Sequence, residues 1–415
     1  MPIDAQRLWR RIEALSRITD SDHPWTRRSF SPLFKAGREW LAAEFRAAGL
    51  DAEIDAGGNL VGRLHGSEPM LKPIVVGSHS DTVPSGGRFD GMLGIVAALE
   101  VAQQLVEDGE QMRHTLEIYD FLAEEPSEFG LSCIGSRALA GALSDEMLAL
   151  TRADGITLRE ALESVGGRPD ALATVARRPG DIAAYVELHI EQGRVLESEG
   201  VDIGIVTNIV GIHRERISII GRADHAGATP MHLRSDALVG AARLIDRVYT
   251  RAQELALGSE PFVATVGHIE VTPNAANAVP GRADLILEVR SGDEAAITAF
   301  GEVLVGELFP SLAELGLTVR SEPVSHVAPT PCAVYVRQTI SEAATVLSLS
   351  TRELPSGAGH DGVFVARTGP IGMIFVPCRN GRSHAPDEWM EPHQAEAGAR
   401  VLAETVRRLD RALDA

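Results

Sequence analysis

The chain has 415 residues, 44% of them hydrophobic, enough apolar content for more than one packed core, so two domains are expected rather than one. Its 39 Lys and Arg stand against 58 Asp and Glu, a formal charge of −19, and no Lys/Arg-rich run is present to neutralise a phosphate backbone, which argues against a nucleic-acid partner. The three cysteines, Cys133, Cys332 and Cys378, are scattered and lack CxxC spacing, which disfavours a disulfide framework and a thiolate metal site and points to a reducing, cytoplasmic compartment.

The opening MPIDAQRLWRRIEAL carries Ile3, Leu8, Ile12 and Leu15 at helical spacing and lacks the unbroken apolar stretch of a secretory signal, so it reads as a first helix. The longest apolar run, GMLGIVAALEV, falls short of the ~20 residues that span a bilayer, and a soluble protein with no membrane partner is expected. The runs PIVVGSHSD, TLEIYDFLAEE and AAYVELHIEQ alternate with helical patterns, including one over 91–106, and predict an α/β domain with a mixed or mostly parallel central sheet. After Gly211 the texture changes to ERISIIGRA, a helix over 235–255, FVATVGHIEV, ADLILEVR, a helix over 293–308 and LTVRSEPV. That strand, helix, strand, strand, helix, strand order predicts a ferredoxin-like α+β sandwich. The turn-rich SHVAPTP closes it, and a helix, the strand PIGMIFVP and a last amphipathic helix follow. Residues 212–328 are therefore read as inserted into an outer domain made from 1–211 and 329–415.

Four strand ends offer metal-ligand chemistry. In GSHSDTVPSGGRFDG, His79 and Asp81 stand two apart at a strand end and Asp90 follows across a glycine-rich loop. A ligating histidine commonly has its second ring nitrogen held by a carboxylate, so Asp81 is read as the orienter of His79 and Asp90 as a candidate bridge between two metals. Glu124 and Glu125 end the next apolar strand; adjacent residues point apart, so one is expected to ligate and the other to accept a proton. His189 of HIEQG and His384 of GRSHAPDEW complete the set. An HxD pair, two adjacent glutamates or a lone histidine is ordinarily a polar loop, and it is the recurrence at successive strand ends that carries weight. Three histidines with carboxylates suit two divalent cations, zinc first, with manganese, cobalt or nickel as alternatives.

The ordered motifs HSDTVPSGGRFDG, EEPSEFG, GSRALAG, HIEQG, GRADHAGATPM, NAVP, GAGHDG and SHAPDEW, from about His79 to Trp389, resemble the zinc-dependent amidohydrolase branch of the M20 metallopeptidase superfamily: N-carbamoyl-L-amino acid amidohydrolases, allantoate amidohydrolases and β-ureidopropionases. The resemblance implies an α/β fold in which a di-metal catalytic domain with a central mixed sheet carries the inserted sandwich as a lid and dimerisation domain. It implies His79, Asp90 and His189 on one metal, Asp90, Glu125 and His384 on the other, and Glu124 as general base. It further implies a homodimer, His225 as oxyanion donor, Asn277 and Arg290 as a clamp for a substrate carboxylate, and Gln192, His232, His360 and Asp361 as further substrate contacts. A guanidinium fork is the natural partner for such a carboxylate.

Two features depart from that pattern. Pro126, which fixes a backbone torsion, follows the paired glutamates where a glycine is usual, and the last loop adds Arg379 and Arg382, read here as surface residues with an acidic substrate as the alternative. Residues 357–362 match GxGxxG but follow no clean strand and precede no acidic ribose partner, and no GxSxG elbow offers a serine nucleophile. The expected activity is hydrolysis of a linear C–N bond in a small carboxylate substrate, an N-carbamoyl-L-amino acid or ureido acid. Aminoacylase or small-peptide hydrolysis is the alternative, and a non-catalytic binding protein the minor one.

Overall fold

The computed structural model describes residues 3–258 and 261–413, so the ends of the predicted outer domain and the pair 259–260 of the inserted one lie outside the described residues. The chain divides into two compact units, 1–207 with 331–415, and 208–330. These boundaries lie within a few residues of those read from the turn signals.

In the first unit a central mixed sheet runs in the order Asp51–Ile54, Leu60–Leu64, Leu116–Phe121, Ile74–His79, Ala184–Ile190, Ile371–Val376, Ile203–Ile209. Its middle is parallel: Ile74–His79 pairs in parallel with both Leu116–Phe121 and Ala184–Ile190, and Ile371–Val376 in parallel with Ala184–Ile190. These four strands are buried along their whole length, as strands covered on both faces must be. Helix Met92–Glu107 buries nearly every side chain, and with Pro392–Ala412, which shows Leu402, Val406 and Leu409 inward, it supplies much of the larger core. Because the four strands share one direction, their carboxyl ends open on one edge, where ligands gather in sheets of this kind.

The second unit is a four-stranded antiparallel sheet ordered Thr318–Val327, Gly211–Ile220, Arg282–Ser291, Phe262–Thr272. Strand Arg282–Ser291 alternates strictly, with Ala283, Leu285, Leu287 and Val289 inward and Asp284, Ile286, Glu288 and Arg290 on the opposite face. The inward set meets helix Ala237–Leu255 through Ala241, Leu244 and Val248, and the helical stretch after Asp293 through Ile297, Phe300 and Leu304. That stretch, Glu294–Ala313, is long and apolar enough by length and composition to cross a membrane, although charged residues interrupt its apolar runs. One stripe of it packs on this sheet, with Leu308 and Leu312 continuing the buried line while Val305 stays exposed.

Candidate metal centre

The edge formed by the four parallel strands brings His79, Asp90, Glu124, Glu125, His189 and His384 together. Ligand atoms of His79, Asp90 and His189 lie within 4.8 Å of one another, and so do those of Asp90, Glu125 and His384. Asp90 stands between the groups: its Oδ1 is 3.1 Å from His189 Nε2 and 3.6 Å from His79 Nε2, while its Oδ2 is 3.0 Å from His384 Nε2. His384 Nε2 also lies 3.1 Å from Glu125 Oε1.

The outer nitrogens of the two buried histidines are fixed by backbone carbonyls. His79 Nδ1 meets the Asp81 carbonyl at 3.0 Å and His189 Nδ1 the Ile190 carbonyl at 2.9 Å. Each Nδ1–H donating outward leaves an Nε2 lone pair facing Asp90, the tautomer a cation needs. The Gly91 N–H, 3.1 Å from His189 Nε2, finds that lone pair already. Gly91 adopts φ +67°, and a Cβ there would lie 2.5 Å from the His79 ring, so the residue opening helix Met92–Glu107 has to be glycine.

The structure corrects the reading of Asp81. It lies past the end of its strand, its carbonyl rather than its carboxylate orients His79, and its own carboxylate comes no nearer than 3.7 Å to His79 Nδ1. The carboxylate instead accepts the N–H groups of Glu124 at 3.2 Å and Glu125 at 3.3 Å. Nor does strand alternation part the two glutamates, because the strand stops at Phe121. Ala123 turns through φ +52°, and the bends around it send Glu125 toward His384 while Glu124 Oε2 comes to 3.7 Å from His79 Nε2. A left-handed alanine is strained, and such strain collects where geometry is over-determined.

The electrostatics separate the carboxylates. Burial works against ionisation of Asp90, but the imidazoles of His189, His384 and His79 beside it hold it well below the usual carboxylate range. Burial, with the charges of Glu125, Asp361 and Asp81, pushes Glu124 well above its usual range against the pull of His79. Asp90 and then Glu125 raise His384 to about 10. Three imidazoles and this many carboxylates converging on Asp90 fit divalent cations by their donor chemistry. Glu187, His189 and His360 also form a tight triad, but Glu187 already accepts from Tyr185 Oη and Ser78 Oγ, and His360 Nε2 is 2.8 Å from Ser356 Oγ.

Among the expected substrate contacts, Gln192 donates from Nε2 to Asp90 Oδ2 at 2.8 Å, and its Oε1 is buried without a hydrogen-bond partner. His360 and Asp361 are buried in the wall of the centre, His360 edge-on to His189 with centroids 4.8 Å apart and Asp361 bonded through Oδ1 to Ser136 Oγ, its Oδ2 without a hydrogen-bond partner. His225, His232, Asn277 and Arg290 belong to the second unit. His225 and Asn277 adjoin across a short ladder, the Asn277 carbonyl accepting Ala226 N–H at 3.0 Å. His232 is exposed in a short turn, and Arg290 Nε donates to Glu288 Oε1 at 2.7 Å. Arg379 and Arg382 pair with Glu391 and Asp387 of their own surface loop, as the surface reading expected. Sequence reasoning missed Ser383 and Glu388, which bond to Asp90 and its loop. The one signal was an acidic residue four after His384, which looks like surface charge.

The model of peptidase family M20/M25/M40 matches residues 75–408. The chain is 40% identical over 411 residues to an N-carbamoyl-L-amino-acid amidohydrolase of Paenarthrobacter aurescens, covering 98% of both chains. It is 36% identical over 425 residues to a ureidoglycolate hydrolase of Arabidopsis thaliana, covering 99% of this chain and 87% of that one. The crystal structure of an amidase of the hydantoinase/carbamoylase family from Burkholderia multivorans superposes with a TM-score of 0.91 at 34% identity, covering 98% of each.

Proposed function

The chain belongs to peptidase family M20/M25/M40, and from that premise we propose that it hydrolyses the ureido C–N bond of a small carboxylate substrate, an N-carbamoyl-L-amino acid or related ureido acid, giving amino acid, carbon dioxide and ammonia. The observation that carries this reading is the pair of ligand triads sharing Asp90, with Glu124 buried beside them and outside both. We assign the triads two divalent cations, zinc first; when bound, they polarise the scissile carbonyl and acidify the attacking water.

The rest falls to the chain. Glu124, not needed as a ligand, takes the proton of the attacking water and returns it to the departing nitrogen. Gln192 Oε1, buried and unsatisfied, supports a role as acceptor for a ureido N–H, which an acyl or peptide substrate of the same size would not present at that place. His225 Nδ1 accepts the N–H groups of Gly227 and Ala228, each at 3.1 Å, so Nε2 carries the proton and serves as donor to the tetrahedral oxyanion. Ammonia release by zinc-reconstituted protein, across N-carbamoyl-amino acids, allantoate and ureidopropionate and beside N-acetyl-amino acids and dipeptides assayed for free amine, tests the reading. Ammonia abolished by chelator supports it, and amine from the acyl or peptide panel alone sinks it.

Arg290 is assigned to the substrate carboxylate. Its guanidinium is preset by Glu288, which Arg290 and Arg214 together hold below the usual carboxylate range despite its burial. Arg290→Ala should raise KM by about 10- to 100-fold, the worth of a charged hydrogen-bonded pair, with a smaller change in kcat. An unchanged KM removes Arg290 from the clamp.

A homodimer built on the second unit is supported by its free edge strand Phe262–Thr272, where Val263 is 57% exposed, and by Leu238, Val239 and Tyr249 standing out from helix Ala237–Leu255. Light scattering should give twice the chain mass, and Val263→Asp with Tyr249→Asp should shift it toward the monomer. A native monomer would end this assignment. The three cysteines are free and buried, which supports a cytoplasmic protein.

A further inference from the structure

A bridging ligand must be held more firmly than a terminal one, because a small displacement of Asp90 spoils both triads. Asp90 sits just outside any regular element, on the loop before helix Met92–Glu107, and His384 sits on another loop with φ +53°. Loops have no ladder of backbone hydrogen bonds to set their spacing. We propose that Glu388 is the positioning residue that joins these two loops and aims Asp90 and His384 at the same point; the inference rests on the metal reading above.

Glu388 is 1% exposed, and every oxygen has work inside the centre. Its Oε1 accepts the N–H groups of Phe89 at 2.7 Å and Asp90 at 3.2 Å, which fixes the backbone of the bridging residue. Its Oε2 is 2.8 Å from Ser383 Oγ, and the same hydroxyl is 2.8 Å from Asp90 Oδ2. Ser383 precedes His384, so one carboxyl reaches the bridging ligand through its backbone and through its side chain, and the last histidine through its neighbour. Gly87 adopts φ +112°, and a Cβ there would lie 2.3 Å from the Glu388 carboxyl carbon. The second glycine of SGGRFDG is thus the cradle of a carboxyl some 300 positions away in the chain, as the separation of 299 between Phe89 and Glu388 records. Trp389 closes the contact, edge-on to Phe89 with centroids 5.8 Å apart and with the Arg88 guanidinium 4.4 Å from its ring.

The hydrogen-bond directions make the test specific. Glutamine at 388 keeps an Oε1 acceptor for the two N–H groups and donates from Nε2 to Ser383 Oγ, leaving the Ser383 proton for Asp90. Alanine removes every one of these contacts, and Gly87→Ala displaces the carboxyl while also straining its own backbone at φ +112°. Zinc titration of the chelator-stripped full chain, with circular dichroism and Michaelis constants in parallel, reads the outcome. Glu388→Ala and Gly87→Ala should each weaken zinc by about 10- to 100-fold and lower kcat more than they change KM, as loss of a group supporting a metal ligand does. The double variant should fall short of the sum of the two losses, because both break one contact. Glu388→Gln should recover most of the affinity lost in Glu388→Ala. Folded Glu388→Ala that binds zinc like the unaltered protein, or strict additivity of the two alanine variants, overturns the proposal. Should Glu388→Ala fail to fold, Gly87→Ala and Ser383→Ala carry the same comparison. An unaltered protein that binds no zinc overturns the metal reading itself, a result distinct from equal binding by protein and variant.

Discussion

Glu124→Gln is expected to lower kcat by about 10²- to 10⁴-fold while the protein keeps its full complement of metal, the range by which a positioned general base accelerates such a step. The substitution is nearly isosteric, and what it changes is basicity. Glu124 sits outside both triads, its backbone N–H remains bonded to Asp81, and its carbonyl still accepts Cys133 N–H at 3.0 Å, so the amide occupies the same place. What is lost is a carboxylate made more basic by burial and by Glu125, Asp361 and Asp81. Because binding is left to other groups, KM should move much less than kcat. Elemental analysis beside steady-state kinetics checks both halves. Near-normal turnover removes Glu124 from the base role, and loss of metal along with turnover makes it a ligand instead.

Asp90→Ala is expected to abolish metal binding and to cost turnover at least about a thousandfold, since several kcal/mol of transition-state stabilisation from the cations goes with it. Both metal triads contain this one side chain, and its two oxygens face His79 and His189 on one side and His384 on the other. Neither Glu125, placed toward His384, nor Asp81, occupied by the Glu124 and Glu125 N–H groups, substitutes for it. The fold should survive, because the Asp90 backbone N–H still reaches Glu388. Melting with and without zinc separates these statements. The unaltered protein should gain stability on zinc by mass action, about 2.7 kcal/mol at a hundredfold excess over Kd, and the variant should gain none. A variant that still melts higher with zinc would show that Asp90 is not shared.

Both predictions concern residues visible in the sequence, and the reason is local. His79, Glu124, Glu125 and His189 lie at or just past the ends of apolar strands, and a run such as PIVVGSH declares its own end by where the apolar residues stop. The inserted unit was equally legible, since the period of two in ADLILEVR and the helical spacing after Ser235 are properties of neighbouring residues. The geometry between these residues is not local. Asp81 was expected to hold His79 by its carboxylate, and the paired glutamates to part by strand alternation. The chain has left the strand at both places, and hydrogen bonds between separate loops replace the pleat as the organising element.

The sequence by itself determined where imidazoles and carboxylates stand at strand ends, and the order of elements that divides the chain into an outer and an inserted unit, because composition and periodicity act over a few residues. Only the tertiary structure decided that Asp90 faces three imidazoles, that carbonyls of Asp81 and Ile190 set the tautomers of His79 and His189, and that the carboxyl of Glu388 lies in the space left by Gly87. Those facts depend on which strand ends lie on one edge of a folded sheet and on loops brought together across nearly the whole chain, and no local pattern encodes a contact whose partners are hundreds of residues apart.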